Sequence, residues 1–198
     1  MTAPSGELRA FLSAWVRSPA TIGAVAPSSR RLAEQLASLV PDRGRPVVVE
    51  LGSGTGAITN AIEQRLPAGA SHVAIDANPA MVSYLHRRCP GVQALVGDAR
   101  QLGVLLAEHS IRGADAVISG LPWALFTPTT QHAVLSQVAS VLRPGGVFAT
   151  FAYLPVMLLP TAQQFRRRLH DCFHDVTTTP TVWGNVPPAF CYVCRRPR

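Results

Sequence analysis

Residues 50–56 read Glu-Leu-Gly-Ser-Gly-Thr-Gly, an acid followed by three glycines at alternate positions. Val47-Val48-Val49 leads in as a strand, and the residues from Ala57 lead out as a helix. Strand, glycine turn and helix set free amides and the positive end of a helix beside a ligand. Close backbone approach to that ligand requires residues without side chains. Two more acids stand at strand ends: Asp76 closes "VAID" and Asp98 sits in "LVGDAR". "SGLPW", residues 119–123, follows a fourth apolar run. Gly52, Gly54 and Ala57 also satisfy the G-x-G-x-x-G/A fingerprint of dinucleotide binding. A nicotinamide enzyme, however, needs its own catalytic apparatus and usually a substrate domain. The 198 residues contain no lysine for a Tyr-Lys pair and leave no room for a second domain of ordinary size.

The elements that must hold these residues can be read along the chain. Strand-like runs occur at 47–51, 72–76, 92–96, 114–119 and 146–152, with weaker ones near 174–181 and 189–195. Helix-like stretches lie between them at about 57–66, 79–89, 99–108, 129–142 and 161–171. Such alternation predicts a parallel sheet with helices on both faces. The last two strands have no helix between them. "WGNVPPA" joins them, which predicts an antiparallel hairpin closing the sheet. Two helices are expected before the first strand. One starts at Pro27-Ser28-Ser29, with a serine able to cap its amides, and lays Leu32, Leu36 and Leu39 on one face. The other is amphipathic: Leu8, Phe11, Leu12, Trp15 and Val16 fall on one arc, and Arg9, Ser13 and Arg17 on the opposite one. That stripe fits packing on its own domain as well as it fits a lipid surface.

The formal net charge is +7, and all eighteen basic residues are arginine. A basic surface suits an anionic partner, either nucleic acid or an acidic membrane face. The lack of lysine excludes Schiff-base and Walker-lysine chemistry. No apolar run reaches the roughly 18 residues that span a bilayer, and the N-terminus lacks the pattern of a signal peptide. A cytoplasmic protein is therefore expected. Cys191 and Cys194 form a C-x-x-C pair within an alternating apolar stretch. Residues three apart on a strand face opposite sides, so these thiols should diverge, and no metal is expected.

Glu50-x-Gly52-x-Gly54-x-Gly56 is also the turn of an S-adenosylmethionine site. Such a site asks for an acid at the end of the second strand to accept both ribose hydroxyls, and Asp76 stands there. It asks for another after the third strand to take the adenine amino group, and Asp98 stands there. A substrate-side loop should follow the fourth strand, where Gly120-Leu121-Pro122-Trp123 lies. From residue 47 onward the chain resembles a class I methyltransferase. "GAVAPSSRRLA", "ELGSGTGAIT", "GDAR", "SGLPW", "FAYLP" and "VWGNVPPAFCYVCRR" together are similar to the soluble bacterial phospholipid N-methyltransferases. The resemblance implies one Rossmann-like α/β domain over 1–198: a helical cap at 1–40 and a cofactor-binding core at 45–198. Its sheet should have seven strands, mostly parallel, with an antiparallel last strand. It implies S-adenosylmethionine as cofactor, leaving S-adenosylhomocysteine, held by Glu50, Gly52, Ser53, Gly54, Thr55, Gly56, Asp76, Ala77, Asp98, Ala99 and Gly120. It implies a phospholipid substrate, phosphatidylethanolamine, methylated towards phosphatidylcholine at an anionic membrane surface.

On the substrate side, Trp123 is expected to stack on the headgroup, where an aromatic face favours a cation. Tyr153 is the candidate proton relay. Ser28, Ser29, Leu121, Pro122, Trp183 and Asn185 are the candidate substrate contacts, with packing or turn roles as the alternative reading. His132 falls on a helix, where a surface position is expected. "LPVMLLP" followed by Arg166-Arg167-Arg168 suits an anionic bilayer. Other functions compete. Adenine N-methyltransferases carry a similar loop, Asn-Leu-Pro-Tyr in the rRNA dimethylases. Here Gly120 removes the side-chain acceptor at its first position, with Ser119 adjacent, and no helical RNA-binding domain follows the last strand. Methylation of a small-molecule amine and a non-catalytic S-adenosylmethionine-binding module complete the alternatives.

Overall fold

A computed structural model describes residues 29–198. Ser28 and the amphipathic segment 8–16 lie outside the described residues. The apolar run of β1 (Val47–Leu51) is almost wholly buried, as befits a strand covered on both faces. It pairs in parallel with β2 (Ser71–Asp76) on one side and β4 (Ala114–Ser119) on the other. β3 (Gln93–Val96) lies outside β2, and β5 (Leu142–Tyr153) outside β4, both parallel. β7 (Ala189–Pro197) runs antiparallel to β5, and β6 (Phe173–Thr178) pairs with β7. The seven-stranded order is β3-β2-β1-β4-β5-β7-β6. The expected hairpin is present, but β7 is inserted between β5 and β6, leaving β6 at the edge. Burial explains the order. Ala189, Cys191, Tyr192 and Cys194 of β7 are buried, whereas β6 carries exposed polar positions.

Six α-helices cover the sheet among the described residues: α1 (Arg30–Ala37), α2 (Ala57–Glu63), α3 (Pro79–Arg88), α4 (Leu102–Glu108), α5 (Pro128–Val141) and α6 (Pro160–Cys172). The expected helix over 99–108 is divided into a 3-10 turn, Ala99–Gln101, and α4. Ser29 caps α1: its Oγ accepts from the amide of Leu32 at 3.3 Å. Leu32 and Leu36 are fully buried, and α1 packs on α2. One apolar core joins Val49, Leu51, Val117 and Phe148 to α5 and α6; a second joins Val48, Ala116 and Ile118 to α1 and α2; a third, smaller one packs Val82 and Leu85 of α3 on Ala74 and Ala94. Cys194 belongs to the first and Cys191 to the second. The alternation of β7 therefore separates the two thiols, as expected.

Candidate active site

β1 and β4 are sheet neighbours whose crossovers leave in opposite directions, so a crevice opens at their carboxyl ends. Gly52, Gly54 and Gly56 there all have positive φ, 73°, 50° and 81°, a region that penalises any side chain with a Cβ. The Gly52 amide donates to the Ile75 carbonyl at 2.8 Å, and the Gly120 amide to the Leu51 carbonyl at 2.7 Å. These bonds fix the glycine turn between β2 and the loop after β4. A Cβ on Gly120 would lie 2.6 Å from the Gly52 carbonyl oxygen, so the two loops are in backbone contact. A Cβ on Gly54 would meet nothing within 4 Å, and the space beside it is open.

Asp76 closes one side of this space. Its Oδ2 accepts from the Gly54 amide at 2.9 Å and its Oδ1 from the Asn78 amide at 2.9 Å. Ala77 beside it is exposed. Asp98 caps the 3-10 turn that contains Ala99, accepting from the Arg100 amide at 2.8 Å. The Arg100 guanidinium forks onto the same carboxylate at 2.8 and 2.5 Å. That contact holds the Asp98 carboxyl below the usual carboxylate range.

Glu50 is fully buried. Its Oε2 accepts from the Thr59 hydroxyl at 2.7 Å, and His72 Nε2 lies 3.3 Å away. The other ring nitrogen of His72 lies 2.8 Å from Glu63 Oε1. Burial lowers the proton affinity of His72, but the flanking Glu50 and Glu63 carboxylates outweigh it and lift the ring to about 9. Glu50 Oε1 and Ser53 Oγ are buried without a hydrogen-bond partner. Buried polar atoms are nearly always paired, so these two fit a polar ligand held by the turn. The cradle beside Gly54, both orphaned oxygens and Asp76 suit the ribose and amino-acid ends of S-adenosylmethionine. Thr55, exposed on the turn, flanks them.

An apolar pocket adjoins the turn at Gly120. Leu121, Pro122, Trp123 and Leu125 line it after β4, Phe151 and Tyr153 at the end of β5, Val156 and Met157 beyond it, with Phe165 of α6 and Tyr192 of β7. Among the described residues, no Asp, Glu, His or Arg lines it. The loop is tightly pinned. Ser119 Oγ accepts from Trp123 Nε1 at 3.1 Å and from the Leu121 amide at 3.3 Å. Thr161 Oγ1 donates to the Ala124 carbonyl at 2.7 Å. Gln131, fully buried, donates through Nε2 to the carbonyls of Trp123 and Thr161 at 2.9 and 3.2 Å.

Trp123 is buried, stacked on Phe165 at 4.5 Å and met edge-on by Phe126 and Phe148. It is a wall of the pocket, and one face is already covered. Tyr153 is buried, and burial raises its phenol above the ordinary range, so at neutral pH it is an uncharged O–H. The structure separates the remaining candidates. Asn185 Oδ1 accepts from the Ser29 amide at 2.9 Å and its Nδ2 donates to the Pro187 carbonyl at 2.6 Å. These bonds fasten the start of α1 to the β6–β7 loop. Trp183 in that loop is 73% exposed. His132 is exposed on α5, as expected. The loop-pinning roles of Gln131 and Thr161 escaped the sequence reading. One signal for Gln131 was present: it shares the buried stripe of α5 with Leu135 and Val138, where a polar residue needs a partner.

Comparison with known proteins places this geometry. A family model described as a methyltransferase domain matches residues 48–146. An ornithine lipid N-methyltransferase of Singulisphaera acidiphila is 32% identical over 188 residues, covering 93% of this chain and 94% of that protein. The O-methyltransferase of Bacillus cereus in complex with S-adenosylhomocysteine aligns with a TM-score of 0.69 at 15% identity, over 96% of this chain and 91% of its own. The N-methyltransferase NodS of Bradyrhizobium japonicum, also in complex with S-adenosylhomocysteine, aligns with a TM-score of 0.66 at 15% identity, over 85% and 87%. At such identities the structural likeness establishes the fold.

Proposed function

The chain belongs to the S-adenosylmethionine-dependent methyltransferases, and we propose that its acceptor is the primary amine of a membrane aminolipid. The observation that carries this reading is the pocket beside Gly120, which is apolar and aromatic, with no carboxylate or imidazole in its wall among the described residues. When bound, the cofactor supplies a sulfonium methyl group for in-line attack by a lone pair. A primary amine has a pKa near 10 and arrives protonated. An apolar pocket disfavours the charged form and lowers that pKa. The carbonyls of Leu121 and Pro122 each accept one bond within the loop, and their second lone pairs accept the amine hydrogens. Tyr153, as a neutral phenol, can receive a hydrogen bond and pass a proton outward, though it does not serve as a phenolate base. Orientation of donor and acceptor across Gly120 then supplies most of the rate.

The surroundings of the pocket support a lipid rather than a nucleotide. Leu158, Trp183 and Val186 are 82%, 73% and 79% exposed. Their two loops meet where the Leu154 amide donates to the Pro188 carbonyl at 2.9 Å. Exposed apolar tips, together with the exposed Arg166 and Arg167 of α6, the helix that follows Leu158 in the chain, suit an anionic headgroup layer. For adenine, by contrast, Ser119 is the available side-chain acceptor, and its hydroxyl is already engaged by Trp123 and Leu121. Phosphatidylethanolamine is the substrate implied by the sequence resemblance. Ornithine lipid is the substrate named for the Singulisphaera relative, and it too presents an amine beside an anionic group.

The test is methyl transfer from labelled S-adenosylmethionine to vesicles containing phosphatidylethanolamine or ornithine lipid, with rRNA and small amines assayed in parallel. Label in either lipid supports the proposal, and the ratio between the two assigns the headgroup. Label confined to rRNA or to soluble amines overturns it.

A further inference from the structure

Beneath the cofactor turn lies a charge chain, two members buried and the third, Glu63, 34% exposed at its side chain, that methyl transfer does not itself use. Glu50 on β1, His72 on β2 and Glu63 on α2 sit between the sheet and α2. His72 pairs in register with Val48, which places it diagonally from Glu50 on one face of the sheet. Its side chain is 1% exposed and that of Glu50 0%. A buried carboxylate needs a cation and hydrogen bonds to remain charged. The Thr59 hydroxyl donates to Oε2 of Glu50 at 2.7 Å, and His72 Nε2 faces the same oxygen at 3.3 Å as an ion-pair contact, outside hydrogen-bond geometry. Oε1 is left with no partner in the protein. Two residues farther on, the chain enters the glycine turn.

We propose that His72 is a positioning residue of the cofactor site. By bridging Glu63 and Glu50 it holds Oε2 and leaves Oε1 of Glu50 to accept from the ammonium of the amino-acid end of S-adenosylmethionine. The arrangement matches charge to charge. Two carboxylates and one imidazolium carry a net negative charge, which the incoming ammonium neutralises. His72 acts through Glu50 and does not touch the cofactor. The other groups in electrostatic reach are few. Cys89, at the end of α3, donates to Asn60 Oδ1 at 3.3 Å and feels both Glu63 and Glu50 as well as Arg88. Burial first, and then those carboxylates, raise its thiol, against the lowering effect of Arg88.

The experiment separates the amino-acid end of the ligand from its adenosine end. Binding of S-adenosylhomocysteine and of 5′-methylthioadenosine, which lacks the amino acid, is measured by calorimetry. His72→Gln should weaken S-adenosylhomocysteine about tenfold, the loss expected of a hydrogen bond to a charged group. It should leave 5′-methylthioadenosine within about twofold. In a Glu50→Gln background the same substitution should add no further loss, because both act on one contact. Equal weakening of the two ligands, or unchanged affinity for S-adenosylhomocysteine, overturns the proposal. Should His72→Gln fail to fold, the unsubstituted protein decides by magnetic resonance. An ammonium beside Glu50 disfavours the nearby imidazolium. Saturation with S-adenosylhomocysteine should therefore lower the His72 pKa, and 5′-methylthioadenosine should not. A His72 titration that S-adenosylhomocysteine leaves unmoved overturns the proposal as well.

Discussion

Gly120 lines the proposed acceptor pocket and abuts the glycine turn proposed to hold the cofactor, and Gly120→Ala tests how closely the two are set. The backbone of Gly120 lies outside the positive-φ region, so alanine suffers no conformational strain there. In such a position Gly→Ala normally stabilises, by about 0.4–1 kcal/mol. Here the new Cβ would stand 2.6 Å from the Gly52 carbonyl oxygen, against the 3.4 Å of ordinary contact. The loops must part by the difference, about 0.8 Å, and the nearest atom is backbone that cannot rotate away. Overpacking of this kind costs about 1–3 kcal/mol. For a chain of this length that lowers the unfolding midpoint by roughly 2–4 °C per kcal/mol. A displacement near 1 Å between reacting groups costs about 10²-fold in rate, so kcat/KM should fall by one to two orders of magnitude. Gly54→Ala is the control, since its Cβ would meet no protein atom within 4 Å. It carries the cost of positive φ, about 1–2 kcal/mol, and loses cofactor affinity by filling the cradle. Thermal unfolding without ligand and steady-state kinetics on the two variants decide the matter. A Gly120→Ala protein with a raised midpoint and an unchanged rate refutes the close approach of the two loops.

Asp76→Ala should weaken S-adenosylmethionine binding by about 10- to 150-fold, through loss of hydrogen bonds from the ribose hydroxyls to a charged acceptor. Calorimetry that finds the affinity unchanged would remove Asp76 from the site. His72 also predicts a pH dependence of stability. Its folded pKa, about 9, lies above the ordinary 6.5. Its stabilisation is therefore fully present below about pH 6.5 and disappears as pH rises through 9. The unfolding midpoint of the free protein should fall across that window by a few degrees more than that of His72→Gln, and parallel profiles would show that the ring is not charged in the fold.

The parts of the site legible in the residues are those whose geometry is local. Alternate glycines between an apolar run and a helix mark a turn whose backbone a ligand can approach, and Gly52, Gly54 and Gly56 all take positive φ there. An acid ending a parallel strand is delivered to the carboxyl edge of the sheet, and Asp76 arrived against Gly54 by that rule. Alternation along β7 alone sends Cys191 and Cys194 to opposite cores. The capping serine of α1 follows equally from spacing. What tertiary structure decided are contacts between residues far apart in sequence. For Asn185 the sequence leaves substrate contact and a turn role open; in the fold its side chain binds the amide of Ser29, 156 positions away. Gln131 became a clamp on the substrate loop because α5 and α6 meet there. Glu50, His72 and the half-buried Glu63 became one charge system because β1 and β2 pair in a register that puts a histidine beside an acid. Backbone periodicity sets which way a side chain leaves its own element. Sheet order, register and helix packing set what it meets, and those follow from apolar burial summed over the whole domain, which no short stretch of sequence carries.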